Sequence, residues 1–211
     1  MASTAVSKYR TSVKVATAAT AAKTITGISK ANPAVVTSST HGLAVGAVVV
    51  ITGVVGMTEI NGMAGVVTAQ DTNTFTLGGI DSTNFTTYTS GGSATPQTMT
   101  QVENVTNFQR ESDEAERIDT TNLMSVKKEY VVGLSGEGAI TIAVDIDATG
   151  PGQAELREYV GVDTAVAITV TRSDSKTAAM MVKFTALSEG FPDKHAGEFR
   201  GIVTGPVAWY A

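Results

Sequence analysis

Two aspartates and a glycine in the segment Asp145-Ile-Asp-Ala-Thr-Gly150 have the spacing that begins a calcium-binding loop. The remainder of the loop pattern is absent. Pro151 follows the glycine, and the twelfth position holds Leu156 in place of the glutamate that would bind the ion through both oxygens. A strand that ends and turns into a helix explains the same residues, so we predict no calcium site here.

A glycine-rich segment, Gly133-Leu-Ser-Gly-Glu-Gly138, contains a serine in a pattern close to the nucleophile elbow of serine hydrolases. That elbow needs a second glycine two residues after the serine, and Glu137 occupies this position. The glycines also lack the spacing of a dinucleotide-binding turn, and no acidic residue follows a βαβ unit. We therefore predict a β-hairpin turn at this segment.

The other groups that could do chemistry are two histidines and a pair of acids. His41 and His195 are far apart in sequence, and neither belongs to a cluster with metal-ligand spacing, so His41 is predicted to be structural. Glu155 and Glu158 fall on the solvent side of a short predicted helix with no neighbouring base. There is no cysteine, which excludes disulfides and thiolate sites. We predict no catalytic residue, metal site, cofactor or enzymatic activity.

The composition favours β-strands. The chain has 211 residues, enough for a self-sufficient core, and is rich in threonine, with 6% aromatic and 17% charged residues. Its formal charge of -5 argues against a basic surface that binds nucleic acid. No apolar run reaches the roughly 18 residues of a membrane span. Lys8 and Arg10 stand where a secretory leader would need apolar residues, so folding in the cytoplasm is expected.

Residues 24–95 differ from the rest in charge, since their only charged residues are Lys30, Glu59, Asp71 and Asp81. Glycine and asparagine turns separate short predicted strands, which indicates a small antiparallel β-barrel. We expect this module to end in a flexible exit at Ser90–Ser93. The predicted strands of the module are Pro33–Thr37, Ala47–Thr52, Gly65–Ala69 and Thr74–Leu77.

From residue 99 onward the strands are longer and alternate cleanly, so each is predicted to bury one face. Between two of these strands, residues 153–161 have apolar spacing typical of one amphipathic helix. By contrast, Gln109–Ser125 is rich in charge without apolar periodicity, and we predict a long exposed loop. The buried faces are predicted to comprise Ile140, Ile142, Val144 and Ile146 in one strand and Val166, Ile168 and Val170 in another, with further strands near Ala178–Leu187 and Glu198–Ala208.

Several motifs of the first half occur together in a known module: Ala31-Asn-Pro-Ala-Val-Val-Thr37, Gly56-Met-Thr-Glu-Ile-Asn-Gly62 and Asn73-Thr-Phe-Thr-Leu77. The segment Ile25–Gly92 that contains them resembles the small β-barrel module that recurs in phage tail proteins. That module is often labelled by its similarity to a domain of ubiquitin-activating enzyme. The resemblance implies a fold and a phage setting, and not ubiquitin chemistry, because no adenylation or cysteine element is present.

The second half carries three further motifs: Glu116-Arg-Ile-Asp-Thr-Thr-Asn-Leu-Met-Ser125, Lys127-Lys-Glu-Tyr-Val-Val-Gly-Leu134 and Gly201-Ile-Val-Thr-Gly-Pro-Val207. With them, residues 1–23 and 96–211 resemble the major tail tube protein of lambda-like siphophages. The resemblance implies a β-sandwich with one short flanking helix. It also implies rings of six subunits whose inner sheets join into a continuous barrel, stacked into a hollow tail through which DNA leaves.

The two resemblances together define the expected organisation. Residues 1–23 and 96–211 would form the tail-tube β-sandwich domain, and residues 24–95 would be a small β-barrel inserted on the tube exterior. The implied partners are further copies of the chain in homohexameric rings, the tape measure protein, and the tail tip and tail terminator proteins. Double-stranded DNA would pass transiently and non-specifically, and no membrane is involved. Assembly would occur in the host cytoplasm, and the product would be the virion tail.

In such a tube, we expect the charged segment to be mobile in the free subunit and ordered against a neighbouring ring, because it has too little apolar surface to offset its ordering entropy alone. The expected inter-ring contact residues are Arg110, Glu111, Asp113, Glu114, Glu116, Arg117, Asp119, Thr120, Asn122 and Leu123.

A second class of function stays open at this point. Threonine- and glycine-rich β-modules also serve as receptor-binding decorations, so the alternative is a carbohydrate-binding or adhesive protein of the virion surface. Electron micrographs distinguish the two, since a tube subunit forms rings or tubes and a decoration forms discrete particles.

Overall fold

A computed structural model describes residues 11–111, 117–132, 138–147, 149–190 and 195–210. These residues form a mainly β structure, as predicted, with one α-helix and a short 3-10 turn at Thr58–Ile60. None of the helices in these ranges is long and apolar enough to cross a membrane. The elements are β1 (Ser12–Ala19), β2 (Lys23–Thr24), β3 (Gly27–Ile28), β4 (Ala34–Thr37), β5 (Val48–Val55), β6 (Ala64–Gln70), β7 (Thr74–Gly78), β8 (Ser90–Gln101), β9 (Val105–Glu111), β10 (Arg117–Asp119), β11 (Tyr130–Val132), β12 (Ala139–Asp145), α1 (Pro151–Tyr159), β13 (Val166–Thr171), β14 (Thr177–Gly190), β15 (Ala196–Val203) and β16 (Ala208–Tyr210).

Fourteen of the strands belong to one antiparallel sheet that curls into a half-barrel. The strand order is β3-β4-β7-β6-β5-β8-β1-β13-β14-β15-β12-β9, with β2 beside β8 and β16 beside β14. The remaining two strands, β10 and β11, form a separate hairpin. The sheet therefore runs without a break from the small-barrel strands into the strands of the second half.

The four predicted strands of residues 24–95 correspond to β4, β5, β6 and β7 with shifts of up to three residues at their ends. The expected flexible exit at Ser90–Ser93 is wrong, because these residues begin the twelve-residue strand β8. Their glycines and serines suggest flexibility, but Ser90, Gly91 and Ser93 pair with β5. Farther along, β8 pairs with β1, so one strand joins the two halves of the sheet.

Two buried clusters form the interior, and each draws residues from both halves of the chain. The larger cluster contains the apolar faces of β1, β12, β13, β14 and β15, and it includes Val48, Ala64 and Val66 from β5 and β6. The smaller cluster fills the small barrel and includes Ala208 from β16. Residues 24–95 thus share packing with the strands around them.

The predicted alternation is confirmed in β12, where Ile140, Ile142 and Val144 are all buried. The expectation that each strand buries only one face is wrong for β13. Ala167 and Thr169, on its opposite face, are also buried. Ala167 lies in one depression with Val50 of β5 and Tyr159 of α1, so other elements cover this face as well.

The helix α1 begins two residues earlier than predicted, with Pro151 in its first turn, where the missing N–H costs nothing. The carboxylate of Glu103 accepts hydrogen bonds from the backbone N–H groups of Gly152 (3.2 Å) and Gln153 (3.3 Å) at the N-terminus of the helix. The Gln153 side chain is fully buried. Its amide group forms hydrogen bonds with three backbone groups of the preceding strands and turn. Leu156 packs in the larger cluster. The helix is therefore held by this apolar contact and by the hydrogen bonds of Glu103 and Gln153.

Candidate assembly surfaces

The charged segment Gln109–Ser125 is not the continuous loop that its composition predicted. Arg110 and Glu111 end strand β9, whereas Arg117 and Asp119 belong to β10, which pairs with β11. The pairing partners Tyr130–Val132 lie beyond the predicted loop, which is why a local count of charges missed the hairpin. The expected contact residues Asp113, Glu114 and Glu116, and most of the predicted turn at 133–138, lie outside the described residues.

The β10–β11 hairpin, residues 117–132, has a turn closed by hydrogen bonds. The backbone N–H of Thr120 donates to the Glu129 carbonyl (2.9 Å), and that of Met124 donates to the Asn122 side chain (2.8 Å). Hydrogen bonds from Thr121 hold the pKa of the Asp119 carboxyl below its ordinary value. Among the expected contact residues, Thr120, Asn122 and Leu123 all lie in this turn and are exposed.

The hairpin also concentrates exposed apolar surface. Seven of the twelve large apolar side chains that are exposed in the described chain belong to it, namely Ile118, Leu123, Met124, Val126, Tyr130, Val131 and Val132. An isolated two-stranded sheet with three paired positions is marginally stable in water. Sequence reasoning weighed only the charges and missed this surface, although Leu123-Met124 and Tyr130-Val131-Val132 were visible signals.

A second surface lies on the opposite side of β12 from its buried isoleucines. We define the polar face as the side of β9, β12, β15 and residues 183–190 of β14 that carries Gln109, Thr141 and Arg200 side by side. Its side chains are small or polar, apart from Ile202. Both of its bases are paired, Arg200 to Glu198 (2.9 Å) and Lys183 to Asp163 (2.6 Å). No described cation on this face is left without an anion.

The strands of the polar face end in two unpaired edges. Among the residues that the structure describes, β9 pairs only with β12. On the other side, the β13 partner of β14 stops at Val182 and Gly161 N bonds the Phe184 carbonyl, so residues 185–190 of β14 pair only with β15 within the same described ranges. Two hydrogen bonds fix which backbone groups point outward: Asp145 N donates to Asn104 O (2.9 Å), and Val203 N donates to Gly138 O (3.0 Å). The antiparallel alternation then places the N–H of Arg110 on the β9 edge and those of Leu187 and Glu189 on the β14 edge.

The residues whose types suggested chemistry have structural surroundings. His41 is buried, with its Nε2 3.1 Å from the Thr74 carbonyl, and its Nδ1 accepts a hydrogen bond from Leu43 N (3.0 Å). Asp147 accepts bonds from Thr149 at the turn into α1, as predicted for a strand end, and these bonds lower its pKa. In the part of the chain that the structure describes, no group of three acids or histidines is placed to hold a metal ion.

Comparison with known proteins gives two matches to family models. Residues 65–205, more than half of the chain, match the family described as phage tail tube, TTP, lambda-like. Residues 31–98 match the ubiquitin-activating enzyme E1 FCCH domain. None of the curated proteins compared with the chain matches it. The first match spans the strands from β6 to β15, including the hairpin and the polar face, and the second covers β4 to β7 and most of β8.

Proposed function

The chain belongs to the lambda-like phage tail tube family and is a structural subunit of a phage tail, and we propose that it assembles into six-membered rings stacked around a DNA conduit. The observation that carries the proposal is the pair of unpaired edges bounding the polar face. Unpaired backbone donors and acceptors on a flat edge favour pairing with another strand.

The two edges are compatible with each other in direction. Strands β14, β15, β12 and β9 alternate in direction, so β9 of one copy would run antiparallel to β14 of the next. The backbone groups of Arg110 would then face those of Leu187 and Glu189. Repeating this contact around a closed ring joins the four-stranded parts into one barrel and leaves no edge exposed.

The polar face would line the lumen of this barrel. Its bases are already bridged to carboxylates, and the whole chain carries a formal charge of -5. Phosphate binding depends on available lysines and arginines, so such a wall has few groups that retain DNA. An acidic conduit lets double-stranded DNA pass transiently without binding it.

The remaining surfaces would serve the outside and the ends of the ring. The hairpin, with the neighbouring residues Arg110 and Glu111, would contact the adjacent ring and become ordered there. Residues 24–95 would lie on the exterior. The chain enters and leaves them at adjacent positions, which allows the segment to project from the tube wall: Lys23 pairs with Ala94, and Thr20 N donates to Pro96 O (2.9 Å). The tape measure protein would occupy the lumen during assembly in the host cytoplasm, and tip and terminator proteins would bind the tube ends.

The edge contact is tested by substitution of Arg110. Arg110→Pro removes an outward-facing N–H while leaving the bonds to β12 in place, whereas Arg110→Ala removes the side chain and keeps the N–H. We expect the unmodified protein to form tubes and Arg110→Ala to form rings, whether or not they stack, in sedimentation and negative-stain images. We expect Arg110→Pro to stay unassembled with an unchanged circular dichroism spectrum.

Two results would contradict the proposal. Assembly of Arg110→Pro to the same extent as Arg110→Ala would show that the β9 edge is not the ring contact. A strictly monomeric unmodified protein under all salt conditions, including with tail initiator proteins present, would overturn the tube function itself. Discrete particles that bind glycans would instead support a surface adhesin.

A further inference from the structure

A groove runs along the line where the small-barrel strands β5 and β6 meet β13 and β14. It consists of three adjoining depressions of about 310, 340 and 250 Å³. The first two share Ala165 and Met181, and the last two share Met63 and Pro206, so they form one continuous surface. We call this surface the seam groove.

The lining of the seam groove is mainly apolar, and its charged members are both acids. Glu59 and Asp81 lie in it, and none of the described lysines and arginines does. Thr86 donates two hydrogen bonds to Glu59, which hold the pKa of that carboxyl below its ordinary value, with a smaller contribution from Lys30. Hydrogen bonds from Thr83 likewise lower the pKa of Asp81, so both acids are ionised at neutral pH. Glu59 lies in the middle depression and Asp81 in the third, so the apolar groove carries two negative charges.

The β10–β11 hairpin has the complementary chemistry. Leu123, Met124 and Val126 at its tip are 108%, 91% and 96% exposed, which is unusual for three large apolar side chains so close in sequence. Lys127 and Lys128 follow directly. Apolar side chains of this kind next to two cations match an apolar groove bordered by two anions.

We propose that the hairpin tip of one copy docks into the seam groove of a neighbouring copy. Leu123, Met124 and Val126 enter the apolar groove, and the two lysines approach Glu59 and Asp81. The contact rests on the proposed tube function, because it needs a second copy held nearby. It joins two different surfaces of identical chains, so it does not close into a two-fold dimer, and when made between rings it propagates as an open stack.

This contact assigns a task to residues 24–95 beyond decoration of the tube. Met63, Glu59 and Asp81 come from the small barrel, whereas Ala165, Met181 and Pro206 come from the second half. The groove exists only where the two parts meet. The small barrel would thus form one wall of the docking site for the next ring.

Cysteine substitutions test the contact directly, since the chain has no cysteine of its own. Val126→Cys protein is mixed with Ala165→Cys protein, assembled, and treated with a short bismaleimide linker. A covalent pair containing one of each variant can arise only between chains, and we expect it in tubes. The matched control replaces Ala165→Cys by Val45→Cys, an exposed position outside the groove, and is expected to give no such pair.

A second measurement fills the groove. Ala165→Arg places a long cation on its floor, and Ala154→Arg places the same side chain on the exposed surface of α1 as a control. We expect Ala165→Arg to form rings that do not stack and Ala154→Arg to form tubes.

The outcomes separate this contact from the function on which it rests. Tubes that show no Val126–Ala165 pair, or as much of the control pair, would overturn the contact and leave the tube function standing. Failure of the unmodified protein to form tubes would overturn both. Normal stacking of Ala165→Arg would also refute docking in the groove, whereas a misfolded variant would leave the cross-linking result to decide.

Discussion

The packing of residues 24–95 against the C-terminal strand can be tested at one glycine. Gly79, just after β7, has φ +76° and lies against the backbone of Trp209 in β16. A Cβ added at Gly79 would come within 2.6 Å of Trp209 N and 2.7 Å of its carbonyl carbon. These are backbone atoms of a paired strand, so they cannot move aside as the end of a flexible side chain would.

Gly62 provides a matched control for the magnitude. It has φ +80°, but no atom lies within 4 Å of its added Cβ. Alanine in this left-handed conformation costs about 1–2 kcal/mol at either position. The clash at Gly79 adds an overpacking cost of about 1–3 kcal/mol. For a chain of this size, the additional loss corresponds to a further fall in Tm of roughly 2–12 °C.

Thermal unfolding followed by circular dichroism, together with urea titration, measures the difference between Gly79→Ala and Gly62→Ala. We expect Gly79→Ala to lose more stability than Gly62→Ala by the amount of the clash. Equal losses would refute the reasoning, because they would mean that the small barrel and β16 do not press on each other. In that case residues 24–95 would behave as an attached but independent unit.

Three further predictions concern the helix anchor, acid stability and the hairpin. Gln153→Leu removes the amide that bonds one backbone N–H and two carbonyls, so it should lower the unfolding free energy by about 2–4 kcal/mol in urea titrations. The control Gln101→Leu removes a single hydrogen bond and should lower the unfolding free energy by under about 1 kcal/mol. Because the folded pKa of Glu59 is lowered, the ionised carboxylate stabilises the fold above the ordinary value of 4.5, and this stabilisation is lost as pH falls through the folded pKa. Thr86→Val removes the side-chain hydrogen bond to Glu59, so Tm should fall less steeply at acid pH than in the unmodified protein. An unchanged slope of Tm against pH would contradict this. Amide exchange in residues 117–132 should slow markedly on assembly, and equal protection in free and assembled protein would rule out an ordering contact.

The features predictable from sequence were those with a local cause. The alternation of Ile140, Ile142 and Val144 identifies β12 because a strand exposes successive side chains to opposite faces. Glycine and asparagine turns identify the small-barrel strands for the same local reason. The helix α1 was predicted from the Gly150-Pro151-Gly152 opening and the apolar spacing after it, to within two residues of its true ends.

The features that sequence reasoning missed depend on partners distant in the chain. Strand β8 begins at Ser90 because β5, some forty residues earlier, supplies its ladder, so a segment with linker-like composition is ordered. Strand β10 exists only because Tyr130–Val132 returns to pair with it. The anchoring role of Gln153 requires the carbonyls of Glu103 and Asp145 to converge on one amide, which no spacing within the helix indicates.

The scarcity of charge in residues 24–95 has a packing origin. Adjacent residues of β5 face different interiors: Val48 belongs to the larger cluster and Val49 to the smaller one. The same division separates Val66 from Val67 in β6. A strand buried on both faces has no position for a charged side chain and reads as a continuous apolar run. The composition that marked these residues as a separate module is thus also the composition of a wall shared by two cores, which is the wall that the seam groove follows.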